Sequence, residues 1–304
     1  MLSQAAAAEG RRGFAAGLSA YLFWGLFPFY FKSLEGVGAY EIFGWRIVFS
    51  TVTLALMVPF GGHRAELFRI LRDRRALALL AAAALMLCGN WLFYVIAVKA
   101  GHVLDASLGY FMCPLVMVAL GIVVLGERLR PLQIAAVALA ATAVLAAVVL
   151  AGVVPKTALL LAVSFGIYGL LRKRVAVGPV VGLFIECVLT LPVAVGVLVW
   201  QGTLGAVAFP TGATGIDLLV CAAGLVTVAP LLLFGYAARR LALSTLGLLQ
   251  YIAPSVIFIE GVVLFGEPLP LWRLLSFLLI WVGLVLYTVD GIARSRADPA
   301  VPSR

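Results

Sequence analysis

Long apolar runs alternate along the chain with short polar or Pro/Gly breaks, and the runs recur at the length of a bilayer crossing. A hydrocarbon core of about 30 Å takes about 20 apolar residues per helix. Cutting the chain at its breaks gives ten segments, near 14–34, 41–60, 76–98, 103–125, 131–151, 156–171, 179–200, 216–238, 243–265 and 271–290. The sixth is the shortest, bounded by Lys156 and by Arg172-Lys173-Arg174. None of the runs has the period-2 alternation of a barrel strand. The pattern predicts an all-α integral membrane protein with ten transmembrane helices.

Composition agrees, since 64% of the 304 residues are hydrophobic and 12% are charged, with a mean hydropathy of +1.15. A soluble chain carries about 25% charge, so the solvent here is largely lipid. The net charge of +9 becomes informative once the cations are placed. With the amino terminus inside, one side collects Arg11, Arg12, the arginines from Arg64 to Arg75, Arg128, Arg130, Arg172, Lys173, Arg174, Arg239, Arg240 and those of the carboxy-terminal tail. The other side keeps Lys32, Lys99, Lys156 and Arg273, and Arg46 falls within the second span. Such a bias predicts cytoplasmic termini at both ends and makes the basic balance a mark of topology, with no nucleic-acid partner. Arg11 and Arg12 precede an apolar run with no small-residue cleavage site, so the first span is expected to be retained. Cys88, Cys113, Cys187 and Cys221 lie inside apolar runs without CxxC spacing, and His63 and His102 are the only histidines. Neither a disulfide framework nor a metal site is indicated, and no cofactor is expected.

The chain also repeats itself. At an offset of 140 residues, Pro114 meets Pro254, Gly121 meets Gly261, and Gly126-Glu127 meets Gly266-Glu267. Five helices per copy is an odd number, so the second copy enters the membrane upside down. The loop after the fourth span reads GERLR and its counterpart reads GEPLP, which is the loss of cations that inversion requires. Inverted repeats of this kind are a signature of alternating-access transporters. The expected division is 12–151 for the first repeat, 154–291 for the second and 292–304 for a cytoplasmic tail.

The motifs YLFWG (21–25), NWLFYVIAV (90–98), ASLGYF (106–111), LGER (125–128), SFGIYGLLRK (164–173) and LSTLGLLQYIAP (243–254) resemble those of RarD-type permeases, in the EamA branch of the drug/metabolite transporter superfamily. The resemblance runs nearly end to end. It implies two inverted five-helix EamA repeats in a bacterial inner membrane, moving small metabolites or drugs.

A charge at mid-bilayer costs at least about 2.5–3.5 kcal/mol, so each one points to protein or to a water-filled cavity. Arg46 and Glu186 occupy nearly equivalent places in the two repeats. If both point inward, Arg46 either pairs with Glu186 or holds an anionic substrate group, and Glu186 either fixes the two halves or carries a coupling proton. Asn90 and Tyr94, four residues apart, share a helical face beside Trp91, and Ser164 and Tyr168 do the same in the sixth span. Asp105, Ser107 and Tyr110 precede Pro114 as Gln250 and Tyr251 precede Pro254. These polar groups either line symmetric half-sites or satisfy backbone freed by the prolines. The candidate substrate-binding set is therefore Arg46, Asn90, Tyr94, Tyr110, Ser164, Tyr168, Glu186, Gln250 and Tyr251, with catalytic residues absent. Glu127 and Glu267 end the fourth and ninth spans as loop anchors or gate elements.

The expected activity is secondary transport of a small amphipathic molecule across the bilayer by alternating access, drawing on a coupling proton or counter-solute. A zwitterion, an aromatic metabolite or a neutral drug all fit at this stage. An ATP-driven pump lacks its phosphate loop, and an intramembrane enzyme lacks HExxH, GxSxG or a carboxylate cluster. A non-transporting membrane sensor is the other alternative.

Overall fold

The computed structural model describes residues 2–99, 103–151 and 156–264, and then 274, 275, 278, 279, 281–283, 285 and 286. These residues form α1 (Leu2–Gly25), α2 (Phe27–Lys32), α3 (Ala39–Met57), α4 (His63–Leu71), α5 (Arg74–Lys99), α6 (Val103–Leu125) and α7 (Pro131–Ala151). The second half supplies α8 (Lys156–Arg174), α9 (Pro179–Thr203), α10 (Thr214–Ala238), α11 (Leu243–Leu249) and α12 (Ile252–Ile259), with a π-helical turn over Glu260–Leu264. No strand occurs among the described residues. Four described stretches are long and apolar enough to cross a membrane, Ala8–Lys32, Arg74–Tyr94, Pro179–Thr203 and Thr214–Ala238, with shorter apolar helices over Gly109–Leu125, Pro131–Ala146 and Leu243–Ile259. The tenth span is described only in pieces, and the tail at 292–304 lies outside the described residues.

Two expected spans are broken, each at a proline. The first divides at Leu26, two residues before Pro28, which has no N–H to return to the preceding turn. The ninth divides at Gln250 and Tyr251. There the Gln250 N–H reaches the Gly247 carbonyl (3.0 Å) and the Tyr251 N–H reaches that of Leu248 (3.3 Å), a tightened turn of the 3₁₀ kind. Pro254 leaves the Gln250 carbonyl without its usual donor, and the Ala253 N–H takes it at 3.2 Å. Pro114 sits inside a continuous α6, so equivalent prolines give a break in one half and an uninterrupted helix in the other. One helix was not expected at all: α4 lies in the Arg64–Arg75 connection. Asp73 then starts α5, its Oδ1 accepting the N–H groups of Arg75 and Ala76, both at 3.0 Å.

The helices pack α3 against α9 and α10, α5 and α6 against α8, α1 against α10 and α12, and α11 against α6. Glycine sets the closest crossings. A Cβ at Gly224 would fall into the Phe49 backbone carbonyl, and one at Gly247 would meet the Pro114 carbonyl oxygen at 2.8 Å. Ala20, Tyr21, Leu54, Met117, Phe234 and Leu246 fill the interior, while Leu56, Val123, Leu145, Val149 and Leu225 are exposed. Apolar side chains on the outside as well as the inside are what lipid contact requires.

Candidate functional site

The polar residues singled out in the sequence separate into four groups. The first surrounds Arg46, which α3 brings to a box of rings from α2 and α5. Its Cζ lies 4.3 Å from the Trp91 ring centroid and 5.5 Å from those of Phe27 and Phe31, the geometry of cation–π attraction. Its Nε–H donates to the Thr227 hydroxyl of α10 at 2.9 Å. Tyr94 and Tyr110 meet edge to face at 5.9 Å, and with Tyr30 they are the phenols in electrostatic range of Arg46. The Tyr30 hydroxyl is already engaged, donating to the Leu219 carbonyl at 2.8 Å.

The second group is a buried triad. Arg172 Nη1 donates to Glu186 Oε1 at 3.0 Å, and the Tyr168 hydroxyl donates to Oε2 at 3.4 Å. Relative exposure is 1% for Arg172, 2% for Glu186 and 0% for Tyr168. Tyr168 stacks on Phe234 with centroids 5.7 Å apart. The guanidinium occupies space that a Cβ at Gly182 would take, and one at Gly235 would stand 2.7 Å from Nη2. One of the open alternatives is set aside here and one expectation is corrected. Glu186 pairs with Arg172 and not with Arg46, and Arg172 is an interior residue instead of a cytoplasmic loop cation. The cause is helical phase, because α8 runs through Arg174 and carries Arg172 round to the face of Ser164 and Tyr168.

In the third group, Asn90 Nδ2 donates to the Leu161 carbonyl (2.8 Å) and to Ser164 Oγ (2.9 Å), joining α5 to α8. The fourth lies at the break in the ninth span. Tyr251 is buried and its hydroxyl donates to the Phe111 carbonyl at 3.1 Å. Gln250 is also buried, beside the Cys113 thiol, with no partner on its Oε1. Asp105, Ser107 and Glu267 fall on residues whose side chains lie outside the described set.

A cleft of about 20 Å³ joins the first two groups, lined by Ser50, Trp91, Glu186, Thr190 and Thr227 among others. It holds roughly one water. Elsewhere, carboxylates tie helix ends to loops. Glu127 Oε1 accepts the Leu243 N–H (2.6 Å), and its Oε2 accepts the Ser244 N–H (2.9 Å) and hydroxyl (2.7 Å). Glu41 accepts the N–H groups of Ala208 (2.9 Å) and Phe209 (2.7 Å), and Glu66 that of Gly178 (2.7 Å). Among the described residues no group of His, Cys, Asp and Glu could hold a metal.

Thr227, Phe27, Phe31 and Arg172 were missed as site residues. Only Arg172 left a trace in the sequence, as the next i+4 step after Ser164 and Tyr168.

Apolar helices enclosing an arginine in an aromatic box and a buried ion pair define a multi-pass membrane protein, and comparison with known proteins makes it a transporter. The EamA-like transporter family model matches residues 11–149. An uncharacterized transporter of Vibrio cholerae is 43% identical over 95% of this chain and 96% of its own. The protein RarD of Streptomyces exfoliatus is 41% identical over 97% and 95% of the two chains, and that of Escherichia coli 39% over 95% and 98%. One solved crystal structure has the same fold, with a TM-score of 0.72 at 20% identity across 91% of this chain and 96% of that one. The chain belongs to the EamA-like transporter family, among its RarD-type members.

Proposed function

We propose that the protein is a secondary transporter of the bacterial inner membrane, with both termini cytoplasmic and ten spans arranged as two inverted five-helix repeats. It moves a small amphipathic metabolite or drug by alternating access. The observation that carries this reading is the bond from Tyr251 to Phe111, two residues 140 apart in the chain. That is the offset that superposes Pro114 on Pro254, so each of the two residues touches its own repeat equivalent. Equivalent residues meet only where a symmetry axis passes between them. The helix pairings support the same operator: α5 on α8 answers α10 on α1, and α3 on α10 answers α9 on α5. Two halves related by an axis in the membrane plane can close on either side at similar energy.

In this reading the pathway runs between α3, α5, α6 and α10. Arg46, Tyr94 and Tyr110 face substrate, and Glu186 stands at the inner end of the cleft as the residue through which a proton or counter-solute would be felt. Asn90, Ser164, Tyr168, Gln250 and Tyr251 hold the helices that form it. The test is counterflow in proteoliposomes preloaded with a pooled metabolite and drug panel and read by mass spectrometry. A carrier accumulates labelled solute transiently when the same solute is inside. Flux that never saturates and shows no counterflow would overturn alternating access, and absence of any flux across the panel would overturn the transport reading of this site.

A further inference from the structure

We infer that Arg46, with Tyr94 and Tyr110, is the docking point for the carboxylate of a monoanionic substrate whose flat apolar body lies against the Trp91, Phe27 and Phe31 rings. The inference rests on the transport reading for its context and adds the substrate's chemical class. Three observations lead to it.

The first is the state of the guanidinium. Its Nε–H is satisfied by Thr227 at 2.9 Å, yet among the described residues no carboxylate pairs with Arg46, and its Nη groups have no protein acceptor. Arg46 is only partly buried as a residue, unlike Arg172. An arginine held within apolar spans with its forked Nη edge free presents the geometry that a carboxylate accepts from two nitrogens at once.

The second is that the neighbouring polar groups are donors. Tyr94 and Tyr110 lie in electrostatic range of Arg46, neither hydroxyl has a described partner, and Tyr110 is 43% exposed. They can donate to the same anion.

The third observation separates an anion from a zwitterion. An α-ammonium group is best held beside a free carboxylate, and among the described residues none is placed against Arg46. Glu186 is held by Arg172 at 3.0 Å and by Tyr168. Glu41 accepts from Trp45, Ala208 and Phe209. Glu260, at the end of α12, keeps a buried oxygen, Oε2, without a partner, but it is not among the groups that act on Arg46. The rings supply the rest of the specificity, because Phe27, Phe31 and Trp91 offer apolar faces to a planar substrate body.

The experiment is equilibrium binding to the purified full chain in lipid nanodiscs, by calorimetry, with phenylacetate, phenylacetamide and L-phenylalanine as probes. All three keep the ring; the amide replaces the carboxylate by a neutral group, and phenylalanine adds an ammonium group on one further carbon. A hydrogen-bonded charge is worth about 1.5–3 kcal/mol, so phenylacetate should bind on the order of 10- to 100-fold more tightly than either of the other two. Arg46→Gln should erase that preference, and Tyr110→Phe should reduce it a few-fold while keeping its sign. Equal binding of phenylacetamide, no binding of phenylacetate to the wild type, or retention of the preference in Arg46→Gln would overturn the inference. Equal binding of phenylalanine would overturn the exclusion of zwitterions. If Arg46→Gln does not fold, the wild-type probe series and Tyr110→Phe still decide. Binding and transport fail separately: carboxylate preference without counterflow sinks the transport reading alone, and counterflow of neutral solutes without carboxylate preference sinks this inference alone.

Discussion

Removing the acid from the Arg172–Glu186 pair should cost the protein more than removing the base. Both side chains are almost wholly enclosed and bond at 3.0 Å, and Arg172 Nε already lacks a partner. Glu186→Ala leaves a guanidinium that cannot shed its proton, inside a pocket closed by Gly182 and Gly235. Breaking a buried pair from one side costs about 3–5 kcal/mol. Arg172→Met leaves a carboxyl group that can take up a proton and become neutral, with Tyr168 still beside it, so its cost should fall below that range. Combining Glu186→Ala with Arg172→Met removes two desolvated charges together and should cost less than Glu186→Ala alone.

For a chain of this length each kcal/mol moves the midpoint by about 2 °C, which places Glu186→Ala roughly 6–10 °C below wild type. The assay is thermal unfolding of detergent-purified protein followed by tryptophan fluorescence, for which the chain has 6 tryptophans. The double-mutant cycle gives the coupling. A Glu186→Ala protein melting with the wild type, or a double variant whose loss equals the sum of the two single losses, would refute the claim that these residues act as a pair.

Two further substitutions probe the frame. Glu127→Ala strips the end of α11 of three acceptor contacts at 2.6, 2.9 and 2.7 Å and should lower stability by about 1–2 kcal/mol; hydrogen exchange should quicken at Leu243 and Ser244, and unchanged exchange would contradict the capping role. Gly224→Ala drives a methyl into the Phe49 backbone and should cost at least about 1–3 kcal/mol, whereas Gly196→Ala, with open space around it, should be close to silent. Equal melting of those two variants would show that the α3–α10 crossing does not depend on glycine.

The spans were legible because lipid imposes one rule, a long apolar run, that needs no tertiary information. Residues 131–151 and 156–171 were read to within a few positions of α7 and α8. The breaks were harder. Pro28, Pro114 and Pro254 are alike in the sequence, yet α6 runs unbroken past Pro114 while the other two helices divide, because what a proline does depends on which neighbour takes up the freed carbonyl. Arg172 was hidden by its company. Lys173 and Arg174 follow it, and a run of three cations reads as a loop. In the structure Lys173 donates to the Leu241 carbonyl and stands 4.0 Å from Glu127, Arg174 is exposed, and only Arg172 turns inward. Thr227, which fixes Arg46, is 181 residues away, and no local pattern announces a partner at that distance.

The two interior arginines differ most in their partners. Arg172 has a carboxylate, a phenol held by that carboxylate, and glycines shaped to its guanidinium; its charge is already paired, and α8, α9 and α10 are joined around it. Arg46 has a hydroxyl on one nitrogen and rings on its faces, which stabilise the cation without neutralising it. A net charge is thereby maintained inside apolar spans, where it costs at least about 2.5–3.5 kcal/mol. A carboxylate on Arg172 would duplicate a contact already made, whereas one on Arg46 would complete it. The acid at position 186 also keeps its own arginine from competing for the anion that we infer Arg46 to hold.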